Sequence, residues 1–106
     1  MPDPRALASM LALVLAMPAA AEGIDAEKQH ELEHLVLQDC GSCHGLTRKG
    51  GLGSPLTREA LEGMDRQVIA EIILDGMPGT AMPPWRPLMT EEEAYWIADY
   101  LLETEE

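Results

Sequence analysis

Apolar residues recur at helical spacing in three separate stretches of this chain. After Ile24, the residues Leu32, Leu35, Val36 and then Cys40 follow one another at intervals that keep them on one face, the repeat that lines one stripe of an α-helix. Asp25 stands where an N-cap carboxylate accepts from the first turn, and Glu27 follows inside that turn, where negative charge opposes the helix dipole favourably. The pattern therefore predicts a helix that starts at Asp25 and carries Cys40 inward at its C-terminal end. A second apolar face, Val68, Ile69, Ile72 and Ile73, begins after Asp65 and stops at Gly76. A third, Ala94, Ile97, Tyr100 and Leu101, follows Thr90 and Glu93, which have the spacing of a capping box.

The stretches between these faces are not helical in composition. Gly45, Gly50, Gly51, Gly53 and Pro55 mark a loop, with a short helix expected after Thr57. Met77 to Leu88 contains Pro78, Pro83, Pro84 and Pro87, which exclude a regular helix. No stretch alternates apolar and polar residues for long enough to predict a strand. The expected fold is all-α: helix, loop, one or two helices, proline-rich loop, helix.

The N-terminus reads differently. Arg5 is its only cation, Ala6 to Met17 is apolar apart from Ser9, and Pro18-Ala19-Ala20-Ala21 provides a small-residue processing site. This predicts a secretory signal peptide over residues 1–21, cleaved after Ala21, and a domain over 22–106. The apolar run is shorter than the roughly 20 residues that span a bilayer core, so the expectation is an exported, periplasmic protein without stable membrane insertion. An uncleaved anchor accounts less well for the alanine triplet and the polar residues that follow it.

Charge narrows the choice of partners. The 106 residues carry a net charge of −12, which argues against nucleic acid, since phosphate binding relies on Lys and Arg. The acids concentrate at both ends: residues 87–106 contain no Lys or Arg at all, whereas Arg48, Lys49, Arg58, Arg66 and Arg86 balance the acids of the middle. With two Trp, two Tyr and no Phe, so small a domain needs a staple or a large apolar cofactor to complete its core.

Cys40, Cys43 and His44 lie within Asp39-Cys-Gly-Ser-Cys-His-Gly45, and three occupants compete for them. A thioredoxin-like dithiol belongs at the start of a helix among strands, whereas this motif ends a helix. A zinc site needs four ligands; His30 and His34 could supply a second pair, but Leu32 and Val36 take the inward face and leave both histidines toward solvent. Cys-x-x-Cys-His is also the attachment sequence of c-type haem: two thioethers tether the porphyrin, and the adjacent His44 is brought beneath the iron.

A His-ligated haem used for electron transfer takes a methionine on its other face. Asp75 to Trp85, Asp-Gly-Met-Pro-Gly-Thr-Ala-Met-Pro-Pro-Trp, offers Met77 and Met82. Met82 is the expected ligand, because Pro83 and Pro84 lower the entropy of holding a weak, soft donor in place. Met64, Met77 and Met89 are expected to fill gaps in the core, and Trp85 to pack near the haem.

In order along the chain, Cys40-x-x-Cys43-His44, the glycine-rich loop with Pro55, Gly76 to Trp85 and the capped last helix resemble a class I mono-haem cytochrome c. The loop wording of Cys40–Thr57 and Gly76–Trp85 is similar, more narrowly, to the cytochromes c55X that accompany haem-d1 nitrite reductase in denitrifying bacteria. The resemblance implies three to four helices wrapped around one covalent haem c, with the first and last helices crossing through Leu32 and Val36 against Ile97 and Tyr100. It implies a loop proline, here Pro55, whose carbonyl accepts from the second nitrogen of His44. It implies electron delivery to nitrite reductase from an upstream donor, with assistance to d1-haem maturation or ligand sensing through a displaceable methionine as alternatives. A haem with both axial positions filled leaves no place for substrate, so no enzyme is expected. The uneven charge adds an expectation that Arg48, Lys49 or Arg86 lies on the docking surface.

Overall fold

The structure is a computed structural model that describes residues 23–105. The expected leader and its cleavage point lie outside these residues. Among the described residues there is no strand, and no helix is long and apolar enough to cross a membrane. The fold is all-α, as the periodicity predicts.

Asp25 caps α1, Ala26–Leu35, by accepting from the backbone N–H of Lys28 at 2.8 Å. The helix does not stop at Leu35. Val36–Cys40 continues it with one π-helical turn, in which the N–H of Gly41 reaches the carbonyl of Val36, and α2, Gly41–His44, completes it. A π-turn shifts every later residue around the axis, so the last turn of this helix presents its side chains on a reset face. Gly45, at φ +92°, then turns the chain away.

The next helix, α3 (Arg66–Asp75), is capped by the Asp65 carboxylate, which accepts from Gln67 N–H. It buries Ile69, Ala70, Ile73 and Leu74, while Val68 remains 45% exposed. The inward face is thus turned by about one residue from the predicted one, because Ala70 and Leu74 make the close approach to the core. The final helix, α4 (Glu91–Glu103), opens with both bonds of the predicted capping box, Glu93 N–H to Thr90 Oγ1 and Thr90 N–H to Glu93 Oε1.

Leu32 and Val36 from the first helix, the α3 face, and Ala94, Ile97, Ala98 and Leu101 of α4 share one core with Leu61 and Met89, and Tyr100 packs at its edge. α4 lies mainly along α3 and meets α1 more briefly. Salt bridges join the pieces at the rim: Lys28 Nζ to Glu93 at 3.1 Å links α1 to α4, and Arg66 grips Asp99 through Nε at 2.7 Å and Nη2 at 2.8 Å, with its guanidinium over the Tyr95 ring. The partly exposed Arg66–Asp99 pair contributes little, whereas Glu93 is buried, so its pair with Lys28 is screened less by solvent.

Two further expectations differ. Thr57 to Gly63 forms successive turns rather than a helix: Thr57 Oγ1 accepts from Ala60 N–H, but only Leu61 is buried, and one apolar anchor does not offset the cost of nucleating a helix. Of the three methionines expected in the core, Met89 is buried, whereas Met64 and Met77 are substantially exposed.

Candidate haem site

The Cys-x-x-Cys-His segment is the end of the first helix. Cys40 is half-buried against the core, Cys43 is exposed, and both are free thiols. Burial, helped by the Asp39 carboxylate, pushes the Cys40 thiol up to about 11. The raised value lowers the thiolate fraction on which dithiol exchange depends. Among the described residues no three His, Cys, Asp or Glu side chains converge on a metal position. His30 leans instead toward Glu33, at 3.6 Å, on the exposed side of α1.

The glycine-rich loop folds back over the motif and takes up the helix's last carbonyls. Gly50 N–H donates to His44 O and Gly53 N–H to Cys43 O, each at 2.8 Å, which satisfies acceptors that a helix end leaves open. Gly53 lies flat on the imidazole: a Cβ there would sit 2.7 Å from both Cε1 and Nδ1 of His44. His44 Nδ1 is 2.7 Å from the carbonyl of Ser54. Since a carbonyl only accepts, Nδ1 carries a proton, so the neutral ring has its lone pair on Nε2, the tautomer a metal-ligating imidazole requires.

The acceptor is Ser54, not Pro55. The contact of Gly53 with the ring brings the carbonyl of the next residue level with Nδ1, one position before the proline. Pro55 acts indirectly, by restricting Ser54 to extended conformations and by packing its ring on Gly50. Composition offered no signal for this, because any residue carries a carbonyl.

On the other side of the sequence, Gly76 ends α3 at φ +69° with no room for a side chain, since a Cβ would meet Met82 O at 2.7 Å and Pro83 C at 2.9 Å. From there Met77 N–H reaches Met82 O at 3.3 Å, and Thr80 returns both its N–H and its hydroxyl to Met77 O. The result is a closed loop with Met82 half-buried and Met77 47% exposed. Trp85 N–H and Arg86 N–H then bond the carbonyls of Ile73 and Leu74, which stitches Met82-Pro-Pro along the end of α3. The Trp85 side chain is half-buried against the core.

Of the three cations expected at a docking surface, Lys49 and Arg86 are exposed and Arg48 is not. Arg48 is only 6% exposed; its Nε donates to Leu56 O, Nη1 to Thr104 Oγ1 and Nη2 to Leu101 O. Arg86 is held by both oxygens of Asp75 and by Glu91. One clue did exist in the sequence: α4 ends in a segment without Lys or Arg, so a cation from elsewhere was needed at its negative end.

The donor set therefore suits haem c: two unpaired sulfurs one turn apart, an imidazole with its outer nitrogen free, and a closed loop that presents methionine. Comparison with known proteins agrees. Residues 27–101 match the family described as Cytochrome C oxidase, cbb3-type, subunit III. Cytochrome c55X of Paracoccus denitrificans is 61% identical over 97 residues, spanning 92% of this chain and 94% of that protein. This chain belongs to the cytochrome c55X family of mono-haem c-type cytochromes. The solved c-type cytochrome NirC is 51% identical, with a TM-score of 0.74 over 76% of this chain and 94% of that one. A second structure, Dihydro-heme d1 dehydrogenase NirN in complex with DHE, is 33% identical with a TM-score of 0.63, over 68% of this chain but only 16% of that one. This cytochrome is an electron-transfer protein of denitrification with redox protein partners, not an enzyme.

Proposed function

We propose that this cytochrome is an exported, periplasmic one-electron carrier with a single haem c, joined to Cys40 and Cys43, ligated by His44 and Met82, and serving haem-d1 nitrite reductase. The observation that carries the reading is the bond between His44 Nδ1 and the Ser54 carbonyl, which commits Nε2 to act as donor. The bound haem supplies a reversible Fe(III)/Fe(II) couple. The chain's own residues hold the imidazole through Ser54 and Gly53, keep the methionine loop closed through Met77 and Thr80, and pack Trp85 against the core. A leader over residues 1–21 supports export, which c-type attachment requires.

The test is rapid mixing of the reduced holoprotein with oxidised nitrite reductase. Electron transfer on mixing, together with no binding of carbon monoxide or nitrite, supports the carrier. Carbon monoxide binding at a rate that matches loss of the methionine ligand would point to a sensor instead.

A second reading has its own support in the likeness to one sixth of the dehydrogenase NirN: an enzyme that removes two electrons from a dihydro-haem carries a domain of this kind. A free-standing relative would accept those electrons singly, two molecules per turnover, with the protons passing to solvent. Mixing oxidised protein with such a dehydrogenase and its substrate distinguishes this maturation role, because the cytochrome would be reduced there and would donate poorly to nitrite reductase.

A further inference from the structure

Among the described residues Arg48 is the only non-glycine with a positive φ, +63°, a conformation that costs an ordinary side chain about 1 kcal/mol or more. What holds it there is its connections. The backbone N–H of Leu56 donates to Arg48 O at 2.8 Å, and Arg48 Nε donates back to Leu56 O at 2.9 Å. One residue thus takes up both polar groups of the Leu56 backbone. Leu56 is separated only by Pro55, whose φ is locked, from Ser54, the acceptor for His44. On the other flank, Gly53 N–H is bonded to Cys43 O. The Ser54 carbonyl is therefore pinned from both sides, by the motif itself and by Arg48.

The guanidinium is anchored in turn on the end of α4. Its Nη2 donates to Leu101 O at 2.7 Å and its Nη1 to Thr104 Oγ1 at 2.8 Å, and the Thr104 hydroxyl donates to Tyr100 O. The guanidinium carbon lies 5.8 Å from the centroid of the Tyr100 ring, which is itself stacked on Trp96. A cation placed on unpaired carbonyls opposes the helix dipole favourably, and this one is supplied from 53 positions away in the chain.

We propose that Arg48 is a positioning residue for the His44 imidazole: it ties the C-terminal end of α4, through Leu56 and Pro55, to the carbonyl that orients the ring. The inference rests on the reading of His44 as iron ligand. Docking of the last helix and donor strength of the ligand are then coupled, because a firmly placed acceptor on Nδ1–H makes the imidazole a stronger donor at Nε2. Weakening that bond removes support from the oxidised state and raises the midpoint potential.

The test uses the full-length holoprotein as wild type, Arg48→Lys and Arg48→Gly. Lysine keeps the charge but cannot make the guanidinium's three bonds, while glycine accepts φ +63° without strain and so protects folding. Two quantities are read by NMR of the reduced protein and by electrochemistry: solvent exchange of the His44 Nδ1 proton and the midpoint potential. Exchange of the Ala94 and Ile97 amides monitors general stability. The expected result is His44 proton exchange about tenfold faster in both variants, the factor one charge-assisted hydrogen bond supplies. The potential of Arg48→Lys rises, and the His44 proton accelerates by a larger factor than the Ala94 and Ile97 amides. Equal exchange and potential in Arg48→Lys and wild type overturns the proposal, and so does acceleration of all these protons by one common factor. If the wild-type His44 ring protons lack the haem-shifted positions of an axial ligand, the ligation reading falls and takes this inference with it. If they show those positions and Arg48→Lys is silent, only the inference falls.

Discussion

At the scale of single residues, the site depends on backbone that approaches side chains closely. Gly53 touches the imidazole of His44 and Gly76 touches the carbonyl of Met82, and each contact leaves no space for a methyl group. Gly53→Ala is therefore expected to displace the ring or the loop and to cost about 1–3 kcal/mol, as overpacking does. Chemical denaturation of the holoprotein checks this, and an unchanged midpoint would mean that the loop yields freely. Cys40, Cys43 and His44 were legible because their chemistry is written in side chains within five consecutive positions. Ser54 was not, since its contribution is a carbonyl. Arg48 was misplaced on the surface because its partners, Leu101 and Thr104, are brought near only by the tertiary fold.

At the scale of elements, the caps were the most readable features. Asp25, Asp65 and Thr90 each accept from the first turn of the helix they precede, and these bonds are local in sequence. Thr90→Ala should lower stability by about 1 kcal/mol, measured as a shift in denaturant midpoint at constant slope. Glu93 adds a pH dependence. Burial opposes its ionisation, but the Thr90 N–H and the Lys28 ammonium outweigh this and hold its carboxyl below the usual carboxylate range. A lowered folded value means stabilisation that is complete above the ordinary glutamate value and lost as pH falls toward the lower, folded one. Melting between pH 6 and pH 3 should therefore be steeper with pH in the wild type than in Glu93→Gln; parallel curves would remove Glu93 from the account. The turns after Thr57 and the rotated face of α3 were not legible, because a single Leu61 or an extra Ala70 is decided by what packs opposite.

At the scale of the molecule, charge is distributed by what the cations are already doing. Lys28, Arg58, Arg66 and Arg86 sit in ion pairs, and Arg48 is bonded within the fold. The net charge of −12 is thus presented outward as carboxylates, so the protein's field favours partners with basic surfaces. Electron exchange with its redox partner should slow as ionic strength rises, since steering is screened within a Debye length of about 8 Å at physiological salt. Stopped-flow rates across a salt series check the sign, and a rate that rises with salt would contradict it.

The claim on which the rest depends is iron held between His44 and Met82, and the visible and near-infrared absorption of the oxidised holoprotein tests it most directly. The account predicts a sulfur-to-iron charge-transfer band that survives Met77→Ala and disappears in Met82→Ala. A colourless protein from cells with intact haem-attachment machinery, or a band that persists without Met82, would contradict it.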